Sequence, residues 1–463
     1  MIFSAKKNWG GFFGKILISY MIFILLVYFL NQNNFDRFSS FLIVLFSATV
    51  SLFYLGLGSY SKFGFNVTGY FIFALIFKIF IGFLFWEFYL FPDYFTNSSS
   101  QFQFNHVEYL ITFDRLQGIA EYRISNGLFS IPSYGFADKY ILIRYIMSGI
   151  FLSGSFNAFD LAVQNSLFSI FTSLVIAQIV KEEGGTSKQI KIALLLTIFQ
   201  PISFISTMIW RDVVGQFFLA LGGYFLYKST KKNKILMVAL ILLATISFFI
   251  NRFLYAFFPL IVIFGYFFFL KKNKFGLLML PFVFIFIDYF DNILSVTNHL
   301  TENYGDNITS VYFWFFLPIN IARLFLGPFP WTNWFTINDN TIFLIGGYFQ
   351  AVMNISLIIF LIKVVFRKKY LLKLKSISSV LKPVDILFLL LFPLFIMAGL
   401  GTKEVHIFYM ATGVIFLIPT ISLAYYNQSF KTIFIKVFLF YIIINSFFVA
   451  LGFSDQGLGS SFR

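Results

Sequence analysis

No cysteine occurs among the 463 residues, which excludes disulfides and thiolate metal sites. Histidine is nearly as scarce: His106, His299 and His406 stand far apart, with no HExxH or paired spacing. Charge is sparse as well, at 11% of residues against 59% hydrophobic. No G-x-x-x-x-G-K-[ST] run is present, so ATP-driven transport by this chain alone is not expected, nor is a cytoplasmic nucleotide-sugar domain. No internal repeat is visible, so the inverted halves of a transporter are not apparent.

What remains is apolar. A mean hydropathy of +0.84 over this length cannot be solvated as a soluble surface, whereas a polytopic membrane protein does not have to solvate it. The opening "MIFSAKKNWGGFFGK" runs into an apolar stretch without a small-residue cleavage signature. It reads as an uncleaved first span with its lysines in the cytoplasm. The formal charge of +15 is therefore to be sorted by side of the membrane before nucleic acid is considered, and no nucleic-acid partner is expected.

Basic clusters mark the cytoplasmic side. The clear ones are "KSTKKNK" at 228–234, "KKNK" at 271–274 and "KVVFRKKYLLKLKSISSVLK" at 363–382. Residues 235–270 between the first two suffice for two spans of about 18 residues each, 235–251 and 253–270, turning at "NRF". Arg252 then lies outside, and one span back from 228 so do Arg211 and Asp212. The fold expected is an all-α polytopic membrane protein of about thirteen spans in a single transmembrane domain over 1–463. They fall near 15–30, 40–57, 67–91, 157–180, 191–210, 213–227, 235–251, 253–270, 275–290, 341–362, 384–400, 407–426 and 433–452. The N-terminus is inside and the C-terminus outside. Large outer loops cover 92–138 and 291–340. Segment 139–155 breaks the parity and reads as an interfacial or re-entrant helix closing a 92–156 loop unit. A second re-entrant element is expected at 311–335.

On this topology about 24 of the 34 basic residues lie inside, and only Arg367 among them is arginine. Of the outer cations eight are arginine: 37, 115, 123, 144, 211, 252, 323 and 463. Positive-inside insertion explains the lysines but not this choice of guanidinium, since the 73 Phe point to an AT-rich genome that would favour Lys codons. A guanidinium grips phosphate or carboxylate through two parallel hydrogen bonds, which an ammonium cannot do. Pairing with outer acids or lipid phosphates is the plainer explanation for any one of them.

Three arginines end or interrupt apolar runs: Arg211 in "STMIWRD", Arg252 in "NRF" and Arg323 in "LPINIARLFLGPFPWTNW". The prolines of the last stretch preclude a continuous helix, and Trp331 and Trp334 suit headgroup depth. Gathered on one side, the three would make a cationic pocket for a polyprenyl diphosphate headgroup; singly, each could snorkel. Asp212 would orient Arg211 as an ion pair or act as a base. Beside a guanidinium its pKa would fall, which favours orientation. The 92–138 loop mixes aromatic and polar residues in a way that suits sugar binding or an amphipathic loop on the membrane. Asp93, Glu108, Asp114 and His106 are its acid–base candidates, with Asp114, Arg115, Trp331 and Trp334 as candidate glycan contacts. "GTKEVHIF" puts Lys403, Glu404 and His406 in one short outer loop, as catalytic candidates or as residues that keep the loop wet.

In order, "QP" at 200–201, "WRD" at 210–212, "KSTKKNK", "NR" at 251–252 and "ARLFLGPFPW" at 322–331 resemble the Wzy-type O-antigen and capsular polysaccharide polymerases, and related GT-C membrane glycosyltransferases. The pattern covers roughly 139–335, and the span count covers the whole chain. The resemblance implies transfer of a growing glycan from undecaprenyl diphosphate onto the next lipid-linked repeat unit at the periplasmic face of the bacterial inner membrane. The diphosphate would be held by Arg211, Arg252 and Arg323, without metal or cofactor. Partners implied are the undecaprenyl diphosphate-linked oligosaccharide as donor and acceptor, membrane lipids, and a chain-length regulator as a further candidate. One departure stands out. GT-C enzymes carry a catalytic Asp after the first span, but the loop "NQNNFDRFSS" here is short, which puts Asp93 or Asp114 as its equivalent in doubt.

Two alternatives make different demands. A GT-C transferase moving a single sugar from a polyprenyl phosphate needs an essential outer carboxylate. A lipid-linked glycan flippase needs charge along a path across the bilayer, where only Lys78 mid-span and Lys436 near an inner end offer it.

Overall fold

The computed structural model describes residues 9–31, 36–86, 107–132, 140–207, 209–251, 253–265, 413–424 and 428–451, with 315, 351–356, 358, 359, 387 and 390. Every regular element among them is helical. Among the described residues, four helices are long and apolar enough to cross a membrane: Gly11–Leu30, Arg37–Leu57, Ala158–Glu182 and Lys234–Asn251. The protein is thus a helical membrane protein. The expected spans at 275–290, 341–362, 384–400 and 407–426, and the loop with its re-entrant segment at 291–340, lie wholly or partly outside the described residues.

The chain packs as two compact units, residues 1–174 with 203–217 and residues 175–202 with 218–463. In the first, α1 (Trp9–Leu30) and α2 (Arg37–Phe63) form a hairpin. Ser19 and Ser51 each donate a hydroxyl to the other's carbonyl across it, at 2.9 and 2.7 Å. Asp36 caps α2, its Oδ1 accepting from the Ser39 backbone N–H at 2.6 Å. That bond holds the Asp36 carboxyl below its usual pKa. The cap therefore stabilises α2 above the ordinary carboxylate pKa and is lost as pH falls through the lowered value. Hydrogen exchange in the first turn of α2 is expected to accelerate at acid pH, and Asp36→Ala to remove that pH dependence.

α3 (Thr68–Phe85) meets α2 where Gly56 faces Thr68; a Cβ there would lie 2.9 Å from the Thr68 Cα, so only glycine allows the approach. The stretch expected to be a loop over 92–138 contains a helix, α4 (Val107–Asn126). It follows no continuous apolar run. Phe113, Leu116, Ile119, Ala120 and Arg123 fall at helical spacing on its buried side, while Asp114 and Arg115 are exposed. After it come the short α5 (Ile141–Met147) and a 3₁₀ turn, Ser148–Phe151. The turn packs on α1, with the Tyr20 hydroxyl donating to the Ile146 carbonyl at 3.1 Å.

α6 (Ala158–Glu182) is 94% buried across its span window. Its first turn is tied to the neighbouring helix ends. Ser40 and Asn157 donate to the Asp160 carboxylate at 2.7 and 2.9 Å, Asn157 also donates to the Arg37 carbonyl at 3.0 Å, and Asn31 donates to Ser40 at 2.8 Å. The C-terminus of α1 and the N-termini of α2 and α6 thereby lie together. Phe168 packs at a tilt against Tyr20 and Phe217, with ring centroids 5.1 and 5.5 Å away.

In the second unit α6 stops at Gly184, whose positive φ of 80° continues no helix, and the Gly185 N–H closes onto the Val180 carbonyl at 2.9 Å. α7 (Ser187–Ile198) begins with a capping box in which Thr186 and Gln189 exchange bonds. Thr186→Ala is expected to cost about 1 kcal/mol in unfolding from detergent micelles. Where one span was expected over 191–210, the helix breaks at Phe199–Gln200. Pro201 has no N–H to continue the ladder, and a short helix, α8 (Pro201–Phe204), follows with a 3₁₀ turn, Ile205–Thr207. α9 (Asp212–Ser229) and α10 (Lys234–Asn251) come next, and α10 ends where the hairpin turn was expected. A 3₁₀ turn, Phe253–Phe257, leads to α11 (Phe258–Gly265); α12 (Ile418–Ala424) and α13 (Gln428–Ala450) are the later described helices.

The two acids at the C-terminus of α6 are neutralised by the basic end of α9. Glu182 accepts from the Tyr224 hydroxyl at 2.7 Å and pairs with Lys228; Glu183 accepts from the Tyr227 hydroxyl at 2.6 Å and pairs with Lys231 at 2.6 Å.

Candidate functional site

The broken segment 199–211 is held by α3 and α6. Lys78, in α3 and 2% exposed, donates to the Ser203 carbonyl at 2.7 Å, to the Ser203 hydroxyl, and to the Ser206 hydroxyl at 3.2 Å. Ser169 of α6 donates to the same Ser203 hydroxyl at 3.0 Å. One turn further out, the Trp86 indole donates to the Thr207 carbonyl at 2.8 Å. Gly82 makes this possible, since a Cβ there would come within 2.8 Å of the Thr207 Cβ. Lys78 therefore caps a broken helix. Its place in the middle of α3 has a local use, which weakens it as a marker of a path across the bilayer.

Beyond the turn, Asn165 of α6 donates to the Trp210 carbonyl at 3.1 Å, fixing the residue before Arg211. The Arg211 guanidinium lies over the Tyr140 ring, 4.0 Å from its centroid. Arg144, one turn along from Tyr140, is 5.5 Å from the same centroid and only 3% exposed. Two guanidiniums thus lie near one aromatic ring, whose quadrupole favours cations. On the far side, Gln164 donates to the Met147 carbonyl at 3.3 Å, so consecutive residues of α6 brace both arginine-bearing segments.

The ion pair expected between Arg211 and Asp212 is not made. Asp212 is 7% exposed and begins α9, where the helix N-terminus stabilises a carboxylate; the neighbouring Arg211 side chain turns away to Tyr140. The Nε of Arg211 is buried without a hydrogen-bond partner. Arg123 is the contrast. Its Nε donates to the Leu128 carbonyl at 2.9 Å, and its Nη1 to the Tyr145 carbonyl at 2.8 Å and the Ser148 hydroxyl at 3.0 Å. Its guanidinium also covers the Tyr145 ring at 3.9 Å. Arg123 is structural.

Of the residues singled out in the sequence, Arg211 and Asp212 fall at this site. Asp114 and Arg115 lie on the exposed face of α4, nine and eight residues before Arg123. Arg252, Arg323, Trp331, Trp334, Asp93, Glu404 and His406 lie outside the described residues. Tyr140 and Arg144 were missed as site residues. The available signal was "YILIRY", an arginine framed by tyrosines inside an apolar run. No family model, curated protein or solved structure matches this chain.

Proposed function

We propose that the chain is a membrane glycan polymerase, joining lipid-linked oligosaccharide repeat units at the outer face of the bacterial inner membrane. The observation that carries the reading is Arg211, a half-buried guanidinium that stacks on Tyr140 and makes no ion pair with its neighbour Asp212. Its Nε makes no hydrogen bond, and Arg144, 5.5 Å from the same ring centroid, adds a second positive charge. A diphosphate is the anion that a lipid-linked sugar presents at the membrane surface.

In the reaction, the bond between the donor's anomeric carbon and the diphosphate oxygen breaks, and the diphosphate leaves with the electron pair. A hydroxyl of the acceptor glycan bonds to that carbon, and its proton passes to a base. Arg211 and Arg144 would stabilise the charge growing on the departing diphosphate, which is the largest electrostatic demand of such a transfer. Asp212, engaged at the start of α9, serves as a structural carboxylate on this reading. Asp93, Glu404 and His406 are the sequence candidates for the base.

Deletion of the gene tests the assignment. Surface glycan capped by a single repeat unit is the expected result. Full-length glycan missing one sugar would replace the reading with a single-sugar transferase, and loss of all exported glycan would replace it with a flippase.

A further inference from the structure

Two consecutive amide side chains, Gln164 and Asn165, lie in α6 with no solvent exposure. A buried amide is costly unless its polar atoms are hydrogen-bonded, so its bonds show what it is for. Successive residues of a helix point about 100° apart, and the pair accordingly reaches two different neighbours. Gln164 Nε2 donates to the carbonyl of Met147, the last residue of α5, at 3.3 Å. Asn165 Nδ2 donates to the carbonyl of Trp210 at 3.1 Å.

Both acceptors adjoin the arginines of the anion site. Met147 closes the short helix that carries Arg144. Tyr140 precedes the same helix, and its carbonyl accepts from the Arg144 N–H at 3.0 Å. Trp210 and Arg211 share the peptide group whose oxygen Asn165 binds. That peptide lies between the 3₁₀ turn Ile205–Thr207 and the start of α9 at Asp212, outside both. The anchors from α3 reach Ser203, Ser206 and Thr207, and so stop short of it. On the other side of Arg211, its carbonyl accepts from the Gly215 N–H at 3.0 Å. The two peptide groups flanking Arg211 are therefore held from different helices, one by α9 and the other by α6.

We infer that Gln164 and Asn165 are positioning residues of the anion site, setting where Arg144 and Arg211 stand relative to the Tyr140 ring and to each other. This rests on Arg211 being the diphosphate ligand. Neither amide touches the diphosphate in this role; each acts through the backbone of an arginine-bearing segment. Stabilisation of a departing group depends on donors fixed in advance, and a misplacement of about 1 Å can cost about 100-fold in rate.

Asn165→Leu and Gln164→Met keep the side-chain size and remove the donors. Ser166→Ala is the control on the same helix, since Ser166 is equally buried and its hydroxyl makes no hydrogen bond. The purified full-length proteins in vesicles are compared per folded molecule, for binding of inorganic pyrophosphate by calorimetry and for kcat and KM of glycan extension. Each amide variant is expected to weaken pyrophosphate binding and to lower kcat by about 10-fold or more, while Ser166→Ala changes neither. Adding Arg211→Lys to Asn165→Leu should lower the rate little further, because the guanidinium is already misplaced. Wild-type affinity and kcat in both amide variants would overturn the inference. Full additivity of the two changes would do the same, as would a loss confined to folded yield. A wild-type protein that binds pyrophosphate without extending glycan would sink the polymerase reading, while the pyrophosphate affinities still decide the role of the amides. No pyrophosphate binding by the wild type would overturn both.

Discussion

Ser203→Ala is expected to destabilise the protein by about 1.5–3 kcal/mol beyond the loss of its bond from Ser169, the worth of a hydrogen bond to a charged group, and this excess only while Lys78 is present. The Ser203 side chain and carbonyl accept two of the three bonds made by the buried ammonium. Removing the hydroxyl leaves a charge at this depth under-solvated, and an intramembrane charge has no water to turn to. In a Lys78→Met background the demand disappears. The Ser203 carbonyl keeps the Ser206 hydroxyl at 2.6 Å, and the same Ser203→Ala change should then cost only the bond from Ser169, about 1 kcal/mol. Unfolding of the four proteins in detergent closes the double-mutant cycle, with a coupling energy of about 1.5–3 kcal/mol expected. An equal cost of Ser203→Ala in both backgrounds would show that Lys78 does not cap the break. The single Lys78→Met change is informative in its own right. Both Ser203 acceptors retain a donor, Ser206 or Ser169, so the protein should fold while the 203–211 segment loosens.

Arg211→Lys is expected to lower the rate of glycan extension by about 10- to 150-fold while leaving the folded yield unchanged. The charge survives this substitution but the parallel fork does not. Loss of one charge-assisted hydrogen bond, about 1.5–3 kcal/mol, corresponds to that range of rates. Arg123→Lys should give the reverse outcome. Arg123 spends three donors on the Leu128 and Tyr145 carbonyls and Ser148, so its replacement should reduce folded protein instead of altering the rate of what folds. Tyr140→Phe keeps the ring under Arg211 and should be mild, whereas Tyr140→Leu removes it. Full glycan length with Arg211→Lys would mean that a point charge suffices and that the fork has no role.

How far these features could be read in the sequence follows from the distance over which they act. The long helices were legible because each is a continuous apolar run, and the end of α10 at Asn251 followed from lysines on both flanks. The break at Pro201 was passed over because the apolar run to Ile209 looked long enough for one span. α4 was hidden by its composition: a helix that covers a neighbour with one face and carries Asp114, Arg115 and Glu121 on the other has no hydropathy peak. The use of Lys78 could not be read locally, since its acceptors are 125 and 128 residues away. Arg211 was legible as a cation interrupting an apolar run, yet its partner was assigned to the adjacent Asp212 because adjacency is all a sequence offers. In the folded chain, successive side chains at a helix start diverge. Tyr140 takes the guanidinium while the carboxylate stays with α9.

The central claim is that this chain alone lengthens a lipid-linked glycan. The direct measurement uses the purified full-length protein in vesicles, supplied with a polyprenyl diphosphate-linked repeat unit as the only sugar substrate. Products are resolved by size over time. A ladder rising by one repeat unit per step, with release of polyprenyl diphosphate, is the predicted result. Repeat units that cross the bilayer without being joined, or that remain unextended while diphosphate release is absent, would contradict it.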